Sequence, residues 1–297
     1  MRDLLLKGLI RLLGALPFTW VGRLGDGIGW LFYRLNGREV HNARVNLALC
    51  FPDRQAHERE RLVRQNLIET GRSLAQMMRI WGGRPRDWGD IVDENGFFAF
   101  GSELIGRGRG LIFTMPHLGN WELMAYLATR IAPATALYRP SRLKVMDELM
   151  RRGRRRSGIT PVPTDRQGLK ALHATLQRGE IVGILPDQVP KSGGASGVVV
   201  PFFGHPALTM TLIGRLVRRH GAAVLFCGAV YDRKLGRYRV HYFEGEPMIG
   251  DASPEAAAAA LNRGVERLAR EFPAHYQWTY RRFQLPGDKR PSPYAKS

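Results

Sequence analysis

Residues 111–138 read LIFTMPHLGNWELMAYLATRIAPATALY, and they decide the fold. Leu111–Met115 is a short unbroken apolar run of the kind that forms a strand buried on both faces. A helical pattern over 121–130 follows it, and Thr135–Tyr138 is strand-like again. Strand, helix, strand within about thirty residues is the unit of a parallel sheet with helices packed on its faces. The same alternation continues along the chain. Helices are expected over about 143–156 and 167–178, a strand at Ile181–Leu185, a helix over 208–219, and strands at 222–230 and Tyr238–Phe243. Ser253-Pro254-Glu255 opens a last helix, with serine as cap and proline at the first helical position. Between them, 186–206 reads as a long glycine-rich loop broken by VVVPFF, with Gly193, Gly194 and Gly197 as a flap; no Gly-Lys-Ser/Thr follows that would make it a nucleotide site. The expected fold is α/β, with a central, mostly parallel sheet flanked by helices.

Upstream, His41–Trp81 is mostly helical with a break at Phe51-Pro52-Asp53, and Asp53 is the expected start signal of a helix over 56–80. Residues 4–33 (LLLKGLIRLLGALPFTWVGRLGDGIGWLFY) are very apolar but interrupted by Lys7, Arg11, Arg23 and Asp26. No uncharged run reaches the roughly 18 residues of a spanning helix, and no small-residue cleavage site follows, as a signal peptide would require. A helix with Lys7 and Arg11 four apart and Trp20, Trp30, Phe32 and Tyr33 nearby is suited to lie in a bilayer interface. The expected division is a membrane-associating helical segment, 1–35, and one α/β domain, 36–297.

With 45 Lys+Arg against 26 Asp+Glu, the formal charge is +19. Most of the excess is arginine, whose planar fork grips phosphate and carboxylate. The partners are therefore expected to be anionic: nucleic acid, anionic lipid or an acidic protein. Against nucleic acid, the chain has no zinc-finger spacing and no RNP-type aromatic block, and its aromatic residues cluster in apolar runs rather than among the arginines. Residues 139–156 hold eight basic side chains against two acidic ones, and the arginines at 151–156 are a candidate surface for lipid phosphates or an acidic carrier. Cys50 and Cys227 are two in number, sit in apolar runs, and have no metal-ligand spacing; both read as buried thiols. No metal and no cofactor is expected.

In an α/β sheet of this kind, sites collect in the loops after the carboxyl ends of strands. The first such loop is Pro116-His117-Leu118-Gly119-Asn120-Trp121-Glu122. On one continuous helix His117 and Glu122 would diverge by about 140°. They meet only with His117 on the loop and Glu122 in the first helical turn, Gly119 folding the loop back and Asn120 capping the helix. A histidine near neutral pKa accepts a proton from a hydroxyl, and a carboxylate on its other nitrogen fixes the tautomer. With no GxSxG elbow and no cysteine nearby, the nucleophile is expected to be the substrate's own hydroxyl. Backbone N–H groups at the start of the helix are candidate oxyanion donors.

The string His117-Leu118-Gly119-Asn120-Trp121-Glu122 matches the H-x4-D/E signature of the lysophospholipid acyltransferase superfamily. In its HxGNWE form it resembles the late lauroyl/myristoyl acyltransferases of lipid A biosynthesis. The resemblance continues in order through Tyr138-Arg139-Pro140, Arg151-Arg152-Gly153, Leu185-Pro186-Asp187-Gln188, Val200-Pro201-Phe202-Phe203-Gly204 and Tyr276–Phe283. It implies direct acyl transfer from a thioester, usually on acyl carrier protein or in some relatives on coenzyme A, to a hydroxyl of an acylated, phosphorylated glucosamine disaccharide. It also implies an inner-membrane enzyme working on the cytoplasmic face. His117 would be the general base and Glu122 its charge-relay partner, with Asn120, Tyr138, Arg139, Arg154, Asp187 and Gln188 as substrate-binding candidates. Asp187-Gln188 stands where glycerolipid members carry Glu-Gly-Thr, a departure that favours a lipid A type acceptor. Other acceptors remain open at this level: a phosphoinositide mannoside, a lysophospholipid or an ornithine-type lipid. So does a non-catalytic, basic membrane-binding protein.

Overall fold

The computed structural model describes residues 8, 12–83, 89–141, 143–190, 196–287 and 292–295. Three helices come first: α1 (Phe18–Leu35), α2 (Arg38–Cys50) and α3 (Ala56–Gly82). The α/β body continues as β1 (Val92–Asp93), α4 (Phe97–Gly106), β2 (Leu111–Thr114), α5 (Trp121–Ala128), β3 (Ala134–Tyr138), α6 (Lys144–Arg156), β4 (Ile159–Pro163), α7 (Arg166–Gln177) and β5 (Ile181–Ile184). It ends with β6 (Gly197–Phe202), β7 (His205–Met210), α8 (Leu212–His220), β8 (Ala223–Asp232), β9 (Arg237–Glu244) and α9 (Pro254–Glu271). Seven strands form one sheet in the order β1-β9-β8-β2-β5-β3-β4. Every neighbouring pair is parallel except β8 with β9.

Alternation along the central strands divides the core. On β2, Ile112 faces one core cluster, while Leu111 and Phe113 face the other. On β8, Val224, Phe226 and Val230 join the first cluster; Leu225, Cys227 and Ala229 join the second. Leu172 and Leu176 of α7, Ile213 and Leu216 of α8 and Leu261, Val265 and Leu268 of α9 cover the first face. Phe97 and Leu104 of α4 and Leu123, Met124 and Leu127 of α5 cover the second. Burial on both sides is why LIFT and IVGI carry no polar alternation. Both cysteines are buried and free.

Several local features differ from the sequence expectations. The helix expected at 208–219 begins only at Leu212, because Ala207–Met210 pairs with β6 instead. The expected loop broken by VVVPFF contains the β6–β7 hairpin, turned by Phe203 (φ 50°) and Gly204 (φ 78°); two residues of positive φ are what a two-residue hairpin turn requires. Gly197, expected in a flap, begins β6, while Gly193 and Gly194 lie outside the described residues. Helix α3 is capped not by Asp53 but at Gln55, whose N–H donates to Glu58 Oε2 at 3.0 Å. Strand β4 and helix α4, which no expectation included, complete the sheet edge and its second face. The last helix starts as expected, with Ser253 Oγ accepting from the Ala256 N–H at 3.2 Å.

Helix α1 is turned opposite to a soluble amphipathic helix. Its buried face is Val21, Gly22, Gly25 and Gly29, and it crosses α3 so closely that a Cβ on Gly25 or Gly29 would strike the backbone of Gly71–Arg72 or Leu67–Ile68. Asp26, one of the charges interrupting the apolar run, points inward to a bidentate pair with buried Arg72. Outward face Trp20, Leu24, Ile28, Trp30, Leu31 and Phe32, all exposed. Lys7 and Arg11 lie outside the described residues, and no described helix is long and apolar enough to cross a membrane. Gly29→Leu is expected to destabilise the protein by about 1–3 kcal/mol or more through overpacking. Gly27→Ala, where a Cβ meets nothing within 4 Å, is expected to be neutral or stabilising by up to about 1 kcal/mol. Thermal denaturation of the two variants checks both.

Candidate active site

Strands β2 and β5 are adjacent and parallel, with Thr114 opposite Ile184. His117 lies three residues beyond the one and Asp187 three beyond the other, so equal overhangs bring both side chains to the same end of the sheet. Asp187 Oδ1 stands 2.7 Å from His117 Nδ1, and its Oδ2 accepts the His117 backbone N–H at 2.9 Å. The carboxylate is almost wholly buried, while the imidazole keeps an opening to solvent. Burial by itself would push the Asp187 carboxyl up; the His117 charge, ring N–H and backbone N–H outweigh it and hold the carboxyl below its ordinary value. A carboxylate only accepts, so Nδ1 carries the proton and Nε2 is left with its lone pair free to act as a base.

The loop between β2 and α5 is held from three sides. Gly119 has φ 57°, and a Cβ there would collide with the Ala229 carbonyl of β8; only glycine fits. Its N–H donates to His275 O at 3.0 Å, and the Gln277 N–H donates to His117 O at 2.9 Å. Residues 274–280 are in turn gripped by amides from the amino-terminal helices. Asn66 Nδ2 donates to Ala274 O and Tyr276 O, Asn46 Nδ2 to Trp278 O and Tyr280 O, and Asn42 Nδ2 to Thr279 O. Asn120 is fully buried, and its Oδ1 accepts the Leu123 N–H at 3.3 Å. It caps α5, as the loop geometry requires.

Glu122 is not on the imidazole. It is buried in the first turn of α5 and takes a bidentate pair from Arg154 of α6, with Nε at 3.1 Å from Oε2. The expected His117–Glu122 contact is therefore replaced by His117–Asp187 and Glu122–Arg154. Spacing along one loop could not reveal this, because the carboxylate that reaches Nδ1 comes from the neighbouring strand, 70 residues later. Arg154, expected at the substrate, is instead mostly buried. Burial works against the Arg154 charge, but Glu122 more than compensates, and the guanidinium pKa is raised. Arg152 pairs with Glu148, and Arg156 donates to Trp81 O. Of the cluster at 151–156, Arg154 and Arg156 are thus tied to other elements of the fold, while Arg151, Arg152 and Arg155 stay exposed.

Tyr138 ends β3, half-buried, one strand beyond β5, and Arg139 follows it, exposed. Burial raises the Tyr280 phenol above its ordinary value, against the smaller opposing effect of the Arg139 charge, and its oxygen accepts the Val189 N–H at 3.0 Å. Gln188 Nε2 sits 3.1 Å from His117 Nε2 and 3.4 Å from Gln277 Oε1. Trp121 meets the imidazole edge-on at 4.9 Å. Sequence reasoning does not find Gln277 or the asparagines as site residues. Asn42 and Asn46, four apart on one helix face and buried, are the available signal.

The arrangement is an oriented, partly open imidazole whose unprotonated Nε2 meets only the Gln188 amide, and no serine or cysteine is hydrogen-bonded to it among the described residues. It suits deprotonation of a substrate hydroxyl. Residues 2–285 match the family model for bacterial lipid A biosynthesis acyltransferases. The chain is 30% identical over 295 residues to the lipid A biosynthesis lauroyltransferase of Escherichia coli (strain K12), covering 97% of this chain and 92% of that protein. It is 30% identical over 282 residues to the lipid A biosynthesis palmitoleoyltransferase of the same organism, covering 93% and 89%. With the lipid A biosynthesis myristoyltransferase of that organism it shares 26% over 274 residues, covering 91% and 82%.

The site geometry makes a spectroscopic prediction. In ¹⁵N-histidine NMR of the resting protein, His117 is expected as the Nδ1–H tautomer. Asp187→Asn should shift that equilibrium, while Glu122→Gln should leave it nearly unchanged; the reverse pattern would return the orienting role to Glu122.

Proposed function

Because the chain belongs to the bacterial lipid A biosynthesis acyltransferase family, and is therefore an acyltransferase acting in that pathway, we propose a direct, single-displacement reaction for it. A hydroxyl of a phosphorylated lipid A precursor loses its proton to His117 Nε2 as its oxygen attacks the carbonyl carbon of an acyl thioester. The tetrahedral adduct collapses with breakage of the C–S bond, and the departing sulfur takes the proton back from His117. Asp187 fixes the tautomer and stabilises the imidazolium during the step. The enzyme is never acylated. The observation that carries this reading is the 2.7 Å Asp187–His117 contact at the open end of the sheet.

Arg139, exposed just beyond β3, is the residue proposed to meet an acceptor phosphate. The Glu122–Arg154 pair acts as a brace: it ties the first turn of α5, and so the loop carrying His117, to α6. The proposed donor is acyl carrier protein, an acidic partner. With Arg154 and Arg156 tied into the fold, a surface suited to it is the groove between α7 and α8. Arg215, Arg218 and Arg219 line this groove beside Leu169, Leu212 and Leu216, and neither helix contains an acidic residue.

The proposed workplace is the cytoplasmic face of the inner membrane. Support comes from α1, which hides its glycines and presents tryptophan, leucine and phenylalanine outward. A contiguous apolar face of that kind on a charged protein favours insertion into the headgroup boundary.

His117→Ala is expected to reduce acyl transfer by about 10²–10⁴-fold with an unchanged far-UV spectrum; turnover near the parent level would end the base assignment. In vesicle co-sedimentation, Trp20→Glu combined with Leu31→Glu is expected to release the protein from anionic vesicles. Unaltered sedimentation would assign membrane binding to a surface other than α1.

A further inference from the structure

Acyl transfer through a tetrahedral adduct places a full negative charge on the former carbonyl oxygen, and preorganised donors at that point contribute strongly to rate. The natural first place to look is the backbone of the catalytic loop, yet its amides from His117 to Asn120 are committed. His117 N–H goes to Asp187 Oδ2 at 2.9 Å. Leu118 N–H goes to Pro116 O at 2.6 Å, Gly119 N–H to His275 O at 3.0 Å and Asn120 N–H to Ala229 O at 2.9 Å. The Leu123 N–H, in the first turn of α5, is taken by the Asn120 cap. The Gln277 and Val189 amides on the facing segments are engaged as well, by His117 O and Tyr280 Oη.

A side-chain donor stands where these amides are spent. Gln188 Nε2 is 3.1 Å from His117 Nε2. Since Nδ1 keeps its proton for Asp187, Nε2 is an acceptor and the Gln188 amide is the donor to it. Its second N–H faces Gln277 Oε1 at 3.4 Å, which keeps the nitrogen rather than the oxygen turned inward. Gln188 directly follows Asp187 in the chain, so the side chains that meet the two ring nitrogens come from consecutive residues, followed by Val189, whose N–H is anchored on Tyr280 Oη.

In the resting site, then, Gln188 occupies the nitrogen that the acceptor hydroxyl must reach. We propose that the acceptor hydroxyl displaces this amide from His117 Nε2, and that the freed Gln188 N–H then donates to the thioester oxygen as it becomes an oxyanion. The proposal rests on His117 as the base. The acceptor oxygen attacks the carbonyl carbon, its proton moves to His117 Nε2, and the C=O π pair moves to the oxygen that Gln188 stabilises. When that pair returns, the C–S bond breaks and the thiolate leaves with the proton from Nε2. Gln188 is on this account a catalytic residue, and Gln277 a positioning residue that aims it.

The test compares Gln188→Met, which keeps the length and removes the donor, with Gln188→Ala and His117→Ala. Steady-state kinetics would use acyl carrier protein thioester and lipid A precursor. Both Gln188 variants are expected to lose about 10²–10³-fold in kcat with little change in either KM. They are also expected to bind a phosphonate mimic of the tetrahedral adduct more weakly by the same factor, while thioester affinity is unchanged. A purely structural role would move thioester and phosphonate binding together. If His117→Ala is inactive but Gln188→Met and Gln188→Ala keep kcat within a few-fold of the parent, the oxyanion role is overturned and passes to the Trp121 and Glu122 amides, with the base reading intact. If His117→Ala itself keeps its turnover, the base reading fails first and this inference falls with it. Should the methionine variant not fold, the alanine variant decides alone.

Discussion

The in-register pairing of β2 with β5 is the constraint on which the site depends. With Thr114 fixed opposite Ile184, equal overhangs of three residues deliver His117 and Asp187 to each other at 2.7 Å. A slip of one residue would send one of the two side chains to the other face of the sheet. That register is held by apolar burial on both faces, Ile112, Val182 and Ile184 on one and Leu111, Phe113 and Ile181 on the other. Core packing, far from the chemistry, therefore sets the tautomer of the imidazole.

Beyond the strand ends, the loop keeps a bridge to Ala229 of β8, and other elements add to its support. The segment 274–280 supplies carbonyl and amide partners to the loop and is itself fastened by Asn42, Asn46 and Asn66 from α2 and α3. Helix α3 is in turn packed against the glycine face of α1 and tied to it through Asp26–Arg72. A physical chain of contacts thus joins the apolar outer face of α1 to the imidazole. Arg233 extends it, reaching Asp26 of α1 and Glu69 of α3 from the turn after β8.

Much of this is legible in the sequence, and the failures share one cause. Unbroken apolar runs such as LIFT and IVGI announce buried strands, and PHLGN between a strand and a helix announces the site loop. Asn120 as cap, and the Ser253-Pro254 start of the last helix, come from local chemistry alone. The features that escape depend on partners distant in sequence. Glu122 is five residues from His117, yet the carboxylate on the imidazole is that of Asp187, because strand order rather than chain order decides neighbours. Leu208–Met210 reads as the first turn of the helix that begins at Leu212, but pairing with Gly197–Val199 draws it into a hairpin. The arginines at 151–156 look like a free basic patch, yet Glu122, Glu148 and the Trp81 carbonyl claim three of them. In α1 the residues that seem to spoil an apolar helix, its glycines and Asp26, are the ones that pack it.

The central claim, that Asp187 acts through His117, is tested most directly by a double-mutant cycle on kcat/KM for acyl transfer. If the carboxylate works only by holding and charging the imidazole, Asp187→Ala is strongly deleterious in the parent and costs almost nothing further once His117 is alanine. Losses that multiply independently in the double variant would contradict the account.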